Sequence, residues 1–116
     1  MIKEKIYLAT PYTSKDKITM VIRYEAAVEV AANLIKKGYI VFSPIVHCHP
    51  IAVIYNLPRD YTFWSTYNAS FILRWAQMLY VECLEGWEES ESIKFDTAIA
   101  HAAGISVRYS VSNPLK

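Results

Sequence analysis

The chain has 116 residues, 53% of them hydrophobic and 20% charged, which is enough apolar material for one domain, expected over 1–116, with a real core. A net charge of +1 with both signs interspersed gives no basic footprint for nucleic acid or an anionic membrane surface, so a small neutral or anionic ligand fits better than a polyanion. The opening MIKEKIYLAT lacks the apolar run of a secretory leader and no stretch approaches the ~20 apolar residues of a spanning helix, so a cytosolic protein is expected, with Cys48 and Cys83 reduced.

Lys5 to Thr10, KIYLAT, reads as a short strand, and the turn-rich TPYTSKD follows it. Over Lys17 to Lys37 the residues Val21, Ala27, Val28, Ala31, Leu34 and Ile35 recur near the helical period, and Gly38 is placed to end the helix. Tyr39 to Ile45, YIVFSPI, has the look of a strand covered on both faces, which implies parallel pairing. A loop through His47, Pro50 and Pro58 leads to a helix from about Asp60 to about Ala76, then to a strand over Met78 to Leu84. The last unit runs from the acidic loop EGWEESES through a helix ending at Gly104 to the strand Ile105 to Tyr109.

Alternating β and α elements with short joints predict an α/β fold, a doubly wound parallel sheet of about four strands in a flavodoxin-like or Rossmann-like three-layer sandwich. Ligands of such sheets sit at the carboxyl ends of the strands where the winding reverses. The candidate site is therefore Thr10 to Thr13, Pro44 to His49 and Glu85 to Ser92. No Gly-x-Gly-x-x-Gly follows the first strand and no phosphate loop ends in Gly-Lys-Ser, so neither a dinucleotide cofactor nor triphosphate chemistry is expected.

Taken together, YLATPYT, Arg23, GYIVFSPIVHCHPIA, LPRDYTFW, GWEES and the closing AHAAG resemble a phage and bacterial branch of the nucleoside 2-deoxyribosyltransferase-like superfamily, over nearly the whole chain. The resemblance implies cleavage of the base–sugar bond of a nucleoside or nucleoside monophosphate, by hydrolysis or by transfer of the sugar; from the residues themselves neither a cofactor nor a metal is expected. It places Asp96 where the family pattern has a catalytic Glu, and Asn68 where related sequences have a second acid. It further implies Ser90, Ser92 and Arg23 as anchors for a phosphate or sugar hydroxyl, and a homodimer or higher oligomer whose neighbouring subunit closes the pocket. A catalytically weakened nucleotide-binding or sensing protein is the alternative in another class. Cleavage of nicotinamide dinucleotide is a more distant option.

Each position also has a plainer explanation. Asp96 can be an acid near a helix start, worth ~0.3 to 1 kcal/mol on the macrodipole. Ser90 and Ser92 are both good helix caps; capping suits Ser92 and ligand contact suits Ser90. His47, Cys48 and His49 lack a second convergent pair for a metal, and a loop His47 lining the pocket is expected instead. Tyr7, Tyr12 and Trp87 stand near loop ends where a flat base can stack, or else Tyr7 packs in the core. Thr10 closes the first strand beside them. Phe63, Tyr67, Phe71 and Trp75 recur every four residues and sweep an arc wider than one sheet contact, to be covered by a second copy or by Pro44 to Pro58 folding back.

Overall fold

The computed structural model describes residues 3–115; Met1, Ile2 and Lys116, the ends of the expected domain, lie outside the described residues. The strand β1 (Lys5–Ala9) sets the layering, because side chains alternate along a strand. Ile6 and Leu8 pack on one face with Ala31 and Leu34 of the helix α1 (Lys17–Lys36). Tyr7 and Ala9 pack on the other with Ile72, Ile93 and Ala100, which come from α3 (Tyr61–Arg74) and α4 (Glu91–Ala102). The remaining strands are β2 (Ile40–Phe42), β3 (Met78–Val81) and β4 (Ser106–Tyr109), all parallel in the order β2-β1-β3-β4. This is the flavodoxin-like three-layer α/β fold.

The order locates the crevice. The chain leaves β1 toward β2 on one side and returns to β3 on the other, so the carboxyl ends of β1 and β3 diverge into loops on opposite sides. Thr10 follows β1 there, and the loop to α4 follows β3.

The segment after β2 differs from the sequence expectation. The strand ends at Phe42, and Pro44–Tyr55 forms a helix, α2, where a loop was expected. Its start has a simple cause: the Ser43 hydroxyl accepts from the Val46 N–H at 3.2 Å, and Pro44 opens the helix, where its missing N–H would have had no partner anyway. Pro50 lies inside the helix and forgoes one backbone bond. The helix stops at Asn56 in a left-handed conformation, φ 55°. Nor is β2 covered on both faces; it is an edge strand with Ile40 41% exposed.

That helix also answers part of the aromatic stripe. Phe71 stacks on Phe42 at 3.9 Å between ring centroids, Trp75 meets the edge of Phe42, and Tyr67 stacks on His47 of α2. Phe63 and Tyr67 keep 50% and 42% of their surface open. Among the described residues no helix is long and apolar enough to cross a membrane.

Candidate active site

The wall built by α4 begins with its cap. The Ser90 hydroxyl accepts from the Ile93 N–H at 3.3 Å and lies 3.0 Å from the Ser92 hydroxyl, so the cap is Ser90 and not Ser92 as expected, while both residues line the groove in front of the helix. From that start, Ile93, Asp96, Thr97 and Ala100 fall on one buried stripe at helical spacing. Asp96 therefore points inward, only 4% exposed, and does not decorate the helix terminus.

A buried carboxyl needs partners. The Tyr7 hydroxyl, carried on the inward face of β1, donates to Asp96 Oδ2 at 2.9 Å. Among the described residues Asp96 Oδ1 has no hydrogen-bond partner. Burial pushes the Asp96 carboxyl up to about 7, with the Tyr7 bond pulling the other way. Burial and the neighbouring Asp96 raise the Tyr7 phenol well above its ordinary range, so Tyr7 stays protonated and remains a donor. Tyr7 is thus a core residue that acts on the site only through its hydroxyl. It is not a stacking platform.

Among the described residues two other buried side-chain polar atoms are unpartnered, Thr10 Oγ1 and Tyr61 Oη, and both residues line the same cavity as Asp96. Leaving such a group unpaired costs roughly 1 to 3 kcal/mol. All three belong to residues that line one space, where a polar ligand group would meet residues with hydrogen-bonding capacity left over. The Tyr61 phenol is raised by burial and by the nearby Asp96, so it too keeps its proton. Asn68 lines this slot as well; its Oδ1 takes only a weak contact from the Cys48 thiol at 3.8 Å. Burial pushes that thiol up to about 12, which leaves Cys48 an uncharged wall residue.

The opposite wall is α2. On a helix, residues two apart point in nearly opposite directions, so His47 and His49 cannot share one site. His47 turns outward, its Nε2 2.7 Å from the Tyr67 hydroxyl, and it does not line the slot as expected. His49 turns inward, hydrogen-bonds through Nδ1 to the Tyr12 hydroxyl, and stacks on Tyr24 at 4.3 Å. Burial and the Arg59 charge keep His49 below its ordinary range, hence neutral at neutral pH. Sequence reasoning included His49 only as the end of the candidate segment Pro44 to His49, gave it no role, and missed Tyr61 and Arg59. Ser-Pro at 43–44 was the signal that a helix starts there and would have sorted the two histidines by face. Among the described residues, no three His, Cys, Asp or Glu side chains gather in a way that could hold a metal ion.

Outside the slot lies a groove that shares Tyr12, Thr13, Asp60, Tyr61 and Ser92 with it and adds Arg23, Gly86 and Ser90. The slot measures about 40 Å³ and the groove about 460 Å³, so only the groove is in the size range of a ligand-binding pocket, roughly 300 to 1,000 Å³. A ligand would lie in the groove and send one edge into the slot. Arg23 Nη1 donates to the Thr13 carbonyl at 3.0 Å and more distantly to that of Tyr12, and the guanidinium packs against Gly86. Arg23 clamps the β1 and β3 loops together and lines the groove from that position. Trp87, expected beneath a base, instead packs on Tyr109 in the core and lines neither space. Thr10, Tyr12, Asn68, Ser92 and Asp96 do come together in the slot.

No curated protein matches the chain. Residues 4–111, nearly its whole length, match the family described as "Domain of unknown function (DUF1937)", with every element above inside the matched span, and the chain belongs to that family.

Proposed function

We propose that this protein cleaves the base–sugar bond of a nucleoside, with Asp96 as the carboxylate that meets the anomeric carbon. The observation that carries this reading is the pairing of Asp96: Oδ2 is held by Tyr7 while Oδ1, buried and unpartnered, belongs to a residue lining the slot. A carboxylate fixed by one oxygen and free at the other is suited to an oxocarbenium-like carbon, as a nucleophile or as an electrostatic partner. In the nucleophilic course, Oδ1 bonds to the anomeric carbon as the carbon–nitrogen bond breaks, and the electron pair leaves with the base. Water, or a second base, then takes the sugar and restores the carboxylate. Asn68 orients a sugar hydroxyl by hydrogen bonding and exchanges no proton at neutral pH.

The groove favours a neutral nucleoside over its 5′-monophosphate. Asp60, Glu89 and Glu91 line it against the single guanidinium of Arg23, a net negative lining that disfavours a phosphate dianion. The test is incubation with deoxynucleosides, ribonucleosides and their monophosphates, with and without an acceptor base, scored for free base. Release from unphosphorylated substrates is expected, rising with pH through about 7 as Asp96 ionises. Asp96→Asn should lower it by at least about 10³-fold. Full activity in that variant removes Asp96 from the chemistry. Nucleoside binding without base release in the wild type would make the protein a binding or sensing member of the fold.

A further inference from the structure

Base release at Asp96 uses only one wall of the slot, and a role for the opposite wall rests on that reading of Asp96. In-line displacement puts nucleophile and departing group on opposite sides of the reacting carbon. Asp96 comes from α4, after β3, and His49 from α2, after β2, so the two approach from opposite sides of the central strand β1. We propose that His49 is a second catalytic residue, a neutral imidazole locked with its proton on Nε2, which donates a hydrogen bond to the departing base.

The lock is built from three side chains. Arg59 lines the slot with Tyr12 and His49; burial keeps the Tyr12 phenol protonated, and the Arg59 charge works against a positive charge on His49. A phenol O–H is a better donor than an imidazole N–H, and an imidazole nitrogen a better acceptor than a phenol oxygen, so the Tyr12 hydroxyl places its proton in the bond to His49 Nδ1. Nδ1 then accepts, and the ring proton must sit on Nε2. Tyr24, stacked on the imidazole at an interplanar angle of 23°, fixes the plane in which that N–H points. Among the described residues His49 Nε2 has no protein partner, and His49 lines the slot. As the base departs, charge gathers on its ring atoms. Every common base has an acceptor beside the glycosidic nitrogen, O2 in pyrimidines and N3 in purines. A fixed neutral donor stabilises that charge without first having to be protonated, an effect of pre-aimed dipoles in a water-poor site. The base then takes its proton from solvent, so the step needs no further reactant.

A leaving-group series separates the role of His49 from that of Asp96. Deoxyribosides graded from natural pyrimidine and purine bases to 4-nitrophenol are compared in wild type, His49→Phe and Tyr12→Phe. His49→Phe keeps a ring to stack on Tyr24 and should slow release of the natural bases about a hundredfold. It should leave the nitrophenyl compound, whose anion needs no help, near wild type. Tyr12→Phe, which frees the tautomer, should show a smaller loss with the same dependence on the leaving group, and it carries the test if His49→Phe does not fold. An equal loss across the series would make His49 merely structural and overturn the inference with the Asp96 reading intact. Nitrogen NMR of the histidine rings in the full chain supplies a readout without turnover: His49 should show the Nε2-protonated form at neutral pH, perturbed by added free base. An Nδ1-protonated ring, or no response to any base, overturns the proposal. A wild type that releases no base from any compound fells the Asp96 reading instead.

Discussion

The α4 wall and the α2 wall face the same slot and are stabilised in opposite ways. The α4 wall sets an ionisable carboxyl on the buried stripe of an otherwise regular helix and leaves one oxygen unpaired. The α2 wall breaks local rules with an internal proline, yet its buried histidine is hydrogen-bonded and stacked. A helix with orthodox capping thus holds the residue that the folded state tolerates least. The irregular helix holds one that it tolerates well. Active sites often trade stability for function in the first manner, and the second shows that positioning need not.

The sharpest way to break this contrast is Asp96→Asn. Unfolded, Asp96 ionises near 3.8; folded, near about 7. Between those values the folded state keeps a proton that the unfolded state releases. The residue's favourable contribution is therefore fully present below 3.8 and is lost as pH rises through about 7, a span on the order of 4 kcal/mol. Denaturant unfolding at pH 8 should find Asp96→Asn more stable than wild type by up to a few kcal/mol, with the gap closing toward pH 4. Equal stability at both pH values would mean that the carboxyl is not desolvated, and the contrast would fail. A smaller effect is expected at Gly86, whose φ of +90° suits few side chains and whose added Cβ would stand 2.5 Å from Arg23 Nη2. Gly86→Ala should cost about 1 to 3 kcal/mol and raise the KM for the proposed nucleoside substrate, because Arg23 is pushed off the loop it packs against. Unchanged KM would show that the clamp does not shape the groove. Smallest is Ser90→Ala, expected to lower the unfolding free energy by about 1 kcal/mol through loss of the α4 cap. Were Ser92→Ala to cost more, the capping assignment would be wrong.

The fold and one wall of the site were legible in the sequence because their signals are local and unopposed. Apolar periodicity in α1 and β-branched or aromatic runs in the strands agree with the layers they occupy. Glycines at 38 and 104 stop helices in left-handed conformations, as their positions suggested. Asp96 was singled out because the resemblance sets it where the family pattern has a catalytic Glu, and the structure turns it inward. The α2 wall was misread because two prolines and a His-Cys-His run suggest a loop, and the Ser43–Pro44 helix start was outweighed by the apolar run before it. Tyr12, His49 and Arg59 meet across 47 positions of sequence, and no window of local pattern contains such a cluster.

The hydrogen bond from Tyr7 to Asp96 joins residues 89 apart in the chain, and β1 finds its partner β3 only after more than half of the chain has been made. Contacts of such long sequence separation form late, since the loop they close must first be ordered. The carboxyl acquires its unusual proton affinity only when β1 and α4 are docked on the same sheet face. Its ionisation is therefore a gauge of completed folding, silent in a nascent chain and in any partly ordered state, so the raised proton affinity comes only with the slot that confines it.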